Sequence, residues 1–310
     1  MGPRQGRGAR GQGRDRSHPV SADTEQVRLQ EQRGPRLHLE SMKRTPKTFW
    51  RRYRFWILTP LNLAAFFLAW EYIGRVELIN PLFLPRASDM FVTFWRGLTG
   101  TGTEFVDGVL RENLAYSLRN LFAGVVIAIV AAVPIGLFMG ANRWLDMFLS
   151  PYIWSLHALP NIAIVPLMIL FLGFEARMHI TIIAIGASFP ILINSWAGVK
   201  TTDKSMLAAA KVFGAKRRQL YTKVVFPYTL PFIMTGLQHG MASGFVGMLV
   251  AEFLGGSQGL GFLIIRASDT FNSALLYAVL FTVVVLALTL IQSSRWIEAK
   301  VAPWRSLRGL

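Results

Sequence analysis

The 310-residue sequence contains no cysteine, which excludes a disulfide framework and any thiolate metal site. Acidic residues are scarce: 17 Asp and Glu stand against 33 Lys and Arg, a formal net charge of +16. In a soluble protein that imbalance would raise nucleic acid as a partner. Catalytic motifs are also missing. There is no G-x-x-x-x-G-K-[ST] loop to cradle nucleotide phosphates, no H-E-x-x-H, no metal-ligand cluster and no Ser/His/Asp arrangement. The chain is therefore not expected to be an enzyme, and neither cofactor nor metal is expected. Charge of either sign is thin, at 16% of residues, whereas 52% are hydrophobic. The mean hydropathy is +0.38. The apolar residues are gathered in long, nearly charge-free runs, as membrane-spanning helices require. For such a protein the placement of positive charge matters more than its sum.

About six segments approach the ~20 residues that a bilayer requires. They run from about Phe55 to Ile73, Leu121 to Met139, Met147 to Leu172, His179 to Trp196, Pro231 to Leu254 and Ala274 to Ile291. The fold expected is an all-α integral membrane protein. Lys200, Lys204, Lys211, Lys216, Arg217, Arg218 and Lys223 crowd the loop between the fourth and fifth spans, against Asp203 alone. Basic residues also precede the first span (Arg51, Arg52, Arg54) and follow the last (Arg295, Lys300, Arg305, Arg308). An even number of spans puts both termini and this loop on one side, and the positive-inside rule makes that side the cytoplasm. Pro134, Pro160, Pro166 and Pro190 inside the spans free backbone carbonyls that neighbouring helices or a watery path must satisfy. Gly136 and Gly140 form a small-xxx-small pair suited to close helix approach.

Residues 1–47 differ from the rest. They are rich in Gly, Arg, Gln and Pro and carry no apolar run, so they are expected to form a disordered basic cytoplasmic tail ahead of a permease domain at 48–310. No hydrophobic segment follows closely enough for a secretory signal. A nucleic-acid arm would need interleaved aromatics that the tail lacks.

The loop at 199–227 is the most informative stretch. Met206 to Phe213 reads as a short helix, ended by Gly214 at a position that wants left-handed dihedrals. A second basic helix, about Lys216 to Val225, is expected to follow and to stop before Pro227. The pair would form an elbow with Leu207, Ala210 and Phe213 able to point one way, a knob that fits a groove on a partner.

This loop resembles the cytoplasmic signature of the binding-protein-dependent ABC importer permeases: Glu-Ala-Ala, three residues, Gly, nine residues, then Ile-x-Leu-Pro. Ala208-Ala209-Ala210 takes the first place, Gly214 follows at the right spacing, and Val224-Val225-Phe226-Pro227 takes the last. Ala208 departs from the Glu. The resemblance extends over about Phe55 to Arg305 and looks most like the taurine, aliphatic sulfonate and nitrate branch. It rests further on Ile79–Pro85, Leu159–Pro166, Phe189-Pro-Ile-Leu, Gly256–Leu263 and Ala302-Pro-Trp304. It implies a type I importer fold with a coupling helix, a cytoplasmic ATPase subunit docked on the elbow and an external solute-binding protein. It also implies a permease homodimer in the bacterial inner membrane.

Glu252 lies near the external end of the fifth span, where an ionisable group is a functional candidate or else an interfacial residue that reaches water or pairs with Arg266. His157 and His239 fall within apolar spans, Arg119 sits just outside the second, and Asn161 follows the proline break. Arg119, His157, Asn161 and Glu252 are the candidate groups of a translocation path for a small anion. The competing reading is a stand-alone secondary transporter or channel. That reading calls for internal repeats or several midplane charges, and neither is visible.

Overall fold

The computed structural model describes residues 47–100 and 106–301. The expectations about the tail and about Ala302-Pro-Trp304 lie outside the described residues. Two compact units divide between Ala65 and Phe66. The described part of the first is the start of helix α1 (Lys47–Val76), and the contacts below belong to the second.

Among the described residues there is no strand. The helices after α1 are α2 (Ala87–Thr99), α3 (Val109–Ala141), α4 (Arg143–His157), α5 (Asn161–Leu172) and α6 (Ala176–Lys200). Then come α7 (Lys204–Val212), α8 (Arg217–Leu220), a π-helical turn at Tyr221–Val225, α9 (Phe226–Gly255), α10 (Leu260–Asp269) and α11 (Ser273–Val301). By length and composition α3, α6 and α11 each suffice to cross a membrane, and two bent pairs, α4 with α5 and α8–α9 with α10, bring the number to five. The first expected span falls within the 30-residue α1.

Close contacts at glycines fix the direction of the central helices. On α3, Gly124 lies against Ile183, Gly136 against Leu192 and Ser195, and Gly140 against Val199. Both numbers rise together, so α3 and α6 are parallel. On α9, Gly236 lies against Asn194, Gly240 against Ile191 and Ala187, and Gly247 against Ile182. Here one number falls as the other rises, so α9 is antiparallel to α6. A Cβ at Gly136 would stand 2.6 Å from the Leu192 carbonyl oxygen, so the two backbones approach as only a glycine permits. In lipid, such packing takes over the work that burial from water does elsewhere.

Two parallel spans need a crossing segment between them, and α4 with α5 provides it. Asp146 bonds to Trp196 and Lys200 at one end of α6. His157 stacks beside Phe189, Asn161 abuts Gly186, and Ile169 with Met178 surrounds Gly255 at the other end. The third expected span is thus not one helix over Met147 to Leu172. It is two helices bent by 94° at residues 158–160, yet together they still traverse the bundle. Pro160 causes the break: it has no N–H to donate, and its ring disfavours helical dihedrals at Leu159. Pro151 and Pro166, by contrast, sit inside α4 and α5 without ending them.

The second arm of the elbow also differs from expectation, because it does not stop before Pro227. The chain continues from α8 through the π turn directly into α9. Pro227 cannot donate to the Lys223 carbonyl and would crowd it. The Phe226 N–H instead reaches back to the Tyr221 oxygen, and this wider turn carries the helix past the proline.

The core lies where α3, α6, α9, α10 and α11 meet, around Leu121, Ile183, Ile191, Met248, Leu263 and Leu275. Aromatic contacts join α1, α2 and α11: Trp70 meets Tyr277, while Phe91 and Phe94 meet Phe281. The Trp70 Nε1–H donates to the Pro85 carbonyl.

Candidate functional site

The elbow is built from local chemistry. Asp203 caps α7, its Oδ1 accepting from the Ser205 N–H at 2.8 Å. That bond holds the carboxyl below the usual aspartate range. At the other end the Gly214 N–H donates to the Lys211 carbonyl at 2.9 Å, and the Ala215 N–H to the Ala210 carbonyl at 3.0 Å. This pair of bonds is a Schellman motif, which requires the left-handed φ of +77° that Gly214 adopts. No heavy atom lies within 4 Å of where a Gly214 Cβ would be, so the glycine serves conformation, not space.

The turn divides the apolar residues of α7 into two sets. Leu207 and Ala210 are half-buried, and Leu207 faces Gly140, Ala141 and Leu220. Val212 and Phe213 point outward, 86% and 90% exposed, with Met206 beside them at 44%. Leu207, Ala210 and Phe213 therefore do not share one exposure: the first two are half-buried, and the last projects outward. Ala208 and Ala209 are exposed. Lys204, Lys211, Lys216, Arg217 and Arg218 are also exposed. Pro227 is half-buried at the start of α9.

Beneath the elbow, Asp146 joins α4 to α6. Its carboxylate accepts from the Ser150 hydroxyl and the Trp196 Nε1–H, each at 2.9 Å, and from the Lys200 ammonium at 2.5 Å. Lys200 also lies 4.7 Å from the Trp196 ring centre. Sequence reasoning passed over Asp146. The available signal was a carboxylate four residues after Asn142, which caps α4 by accepting from the Trp144 N–H.

The four polar path candidates do not converge within one chain. His157 is exposed, with its ring near Trp154 and 5.7 Å from that of Phe189. Asn161, one turn on and beyond the break, occupies the room left by Gly186, where a Cβ would come 2.9 Å from its Nδ2. Arg119 is exposed toward the opposite end of α3, with its guanidinium over the Tyr116 ring. Glu252 is buried, only 1% exposed. It accepts from the Ser117 hydroxyl at 2.7 Å and the Gly261 N–H at 2.9 Å. Ser117 in turn accepts from the Leu260 N–H, and Asn113 Oδ1 from the Gly259 N–H. Three side chains thus satisfy the first N–H groups of α10, which otherwise lack partners at a helix start. Glu252 ties α3, α9 and α10 together through these bonds. Ser117 and Asn113 were not legible in the sequence, because only folding brings them 135 and 146 residues along the chain to their partners. His239 lines a separate 320 Å³ cavity between α9 and α11, next to Gln238, which bonds to Glu298.

Residues 124–305 match the family described as binding-protein-dependent transport system inner membrane component. A protein of Methanocaldococcus jannaschii named as an ABC transporter permease is 33% identical over 242 residues, 77% of this chain and 88% of its own length. The taurine transport system permease protein of Escherichia coli is 29% identical over 244 residues, 78% of this chain and 88% of its own. Among solved structures, a chain of the MetNI methionine ABC transporter in an inward-facing conformation superposes with a TM-score of 0.56 at 19% identity. That match covers 62% of this chain and 95% of the other, and it concerns the fold. The chain belongs to the binding-protein-dependent transport system inner membrane components. It is the permease component of an ABC importer, with the type I importer fold.

Proposed function

We propose that α7 and the Gly214 turn form the coupling element through which a separate cytoplasmic ATPase subunit drives this permease. The observation that carries this reading is the Val212–Phe213 knob, apolar and almost fully exposed in a segment whose lysines are exposed too. Exposed apolar surface of this kind marks a contact with another protein, and a knob on a short helix suits a groove with an acidic rim. Two copies of the permease enclose one path, and an external binding protein delivers solute to it. Both termini and the elbow face the cytoplasm, in line with the basic residues at that end. Closure of the ATPase pair draws the two elbows together. Asp146 passes that motion to α4 and α6, and so to the break between α4 and α5 where His157 and Asn161 lie.

The solute proposed is a small anion such as taurine, another sulfonate or nitrate. The taurine permease relative supports that class. The test is co-purification of the chain with any ATPase encoded beside it, then ATP turnover in liposomes with binding protein and candidate solutes. Turnover that rises with binding protein plus one sulfonate supports the proposal. Solute transport by the chain alone, with no ATPase bound, refutes it and favours a secondary transporter.

A further inference from the structure

A cavity of 660 Å³ lies at the elbow end of the bundle, between the last turns of α3, the start of α4 and the π turn. Its walls are almost wholly apolar, with Pro134, Phe138, Leu145 and Phe226 prominent, and Arg217 and Arg218 stand on its lining. No lining residue is acidic. Both arginines are exposed, and among the described residues neither guanidinium makes a hydrogen bond or ion pair. Trp144, 77% exposed, is of a residue type enriched where a span meets the headgroup layer, and Phe138, 67% exposed, offers an apolar face.

We propose that this cavity binds an anionic phospholipid, with an acyl chain against Phe138 and Phe226 and the headgroup phosphate on Arg217 and Arg218. Each half of the site demands the corresponding half of the ligand. A water-soluble anion makes no use of the apolar slot, and a neutral lipid leaves two guanidinium groups without a counter-charge. Planar guanidinium groups match phosphate oxygens in a bidentate manner, and basic pockets between spans at the cytoplasmic side suit anionic headgroups. The bound lipid would brace the π turn, which forms one wall and links the elbow to α9. Placement in the cytoplasmic leaflet rests on the orientation proposed above. Lipid binding itself is read on the permease alone, so it stands or falls apart from ATPase coupling.

The experiment is native mass spectrometry of the full chain, extracted from nanodiscs of mixed phosphatidylglycerol and phosphatidylcholine. The expected result is selective retention of phosphatidylglycerol by the wild type. The R217Q/R218Q variant should retain it roughly thirtyfold more weakly, as two lost surface charges imply. R217K/R218K should recover part of the binding. Ala141→Phe fills the slot while leaving both arginines in place, and should also abolish retention. Equal retention of both lipids, or retention unaffected in R217Q/R218Q, overturns the proposal. Loss of ATPase association in R217Q/R218Q with lipid retention unchanged overturns it too, and assigns the arginines to a protein contact. A wild-type dimer that Ala141→Phe splits without any change in lipid would make a second copy the occupant, and equally refute it.

Discussion

Replacing Gly214 tests whether a single backbone conformation connects the elbow to transport. The residue sits at φ +77°, and both its N–H and that of Ala215 close the end of α7. Because nothing lies near its missing Cβ, Gly214→Ala introduces no clash and costs only the left-handed penalty, about 1–2 kcal/mol. That lowers the ratio of formed to unformed turn by about five- to thirtyfold. Asn tolerates this region better and should cost less. Pro locks φ near the opposite sign and removes the donor to Lys211, a loss of roughly 3 kcal/mol or more. The turn lies outside the packed bundle, so membrane insertion should be unaffected in all three variants. The assay is ATP-dependent uptake in liposomes by the permease–ATPase complex, with insertion and ATPase binding measured in parallel. The expected order of coupled uptake is Gly, Asn, Ala, then Pro, with Pro near background. Wild-type uptake by a stably inserted Gly214→Pro variant would refute the reasoning.

Other perturbations probe the supports of the elbow and the bundle. Phe213→Asp places a charge on the exposed knob, and should abolish ATPase co-purification without lowering the thermal midpoint of the permease in detergent. Glu252→Ala leaves the Ser117 hydroxyl and the Gly261 N–H without their acceptor, and should destabilise the fold by about 2–4 kcal/mol in thermal unfolding; Glu252→Gln, which keeps one carbonyl oxygen, should lose less. Gly240→Ala puts a Cβ 2.7 Å from Ile191 Cγ1 and 2.9 Å from the Ala187 carbonyl, and should cost about 1–3 kcal/mol on the same scale. The depressed carboxyl of Asp203 contributes to α7 when ionised, so its cap is intact above the ordinary aspartate range and lost as pH falls through the lowered folded value. The protection of the Ser205 amide, taken relative to its intrinsic exchange rate, should therefore fall at acid pH in the wild type, but not in Asp203→Asn.

Periodicity and charge made the spans and the elbow legible because both are local. A long apolar run forms a helix in lipid whatever surrounds it, since each of its backbone groups must be satisfied within the segment. Gly214 announced the end of α7 for the same reason: the need for a left-handed residue is written in that residue alone. The Pro160 break was visible only as a proline. Three prolines fall in the run from Met147 to Leu172, and only packing decides which of them bends the chain. Pro227 read as a stop, yet a π turn absorbed it. The grouping of Leu207, Ala210 and Phe213 failed because helical spacing gives neighbours on a cylinder, not which side meets the bundle.

What the sequence by itself determined is the class of solvent each segment occupies, the elbow with its glycine, and the family. The first two follow from residue-by-residue transfer energies and from local dihedral demands, and the family from the resemblance of the elbow to a known signature. Only the tertiary structure decided that Glu252 is bonded to Ser117 and Gly261, that Asp146 anchors α4 to Lys200, and that apolar slot and paired arginines share one cavity. Those relations join residues far apart in the chain. No local propensity encodes them, because their energy appears only when helices pack close enough for one side chain to meet another's unsatisfied group.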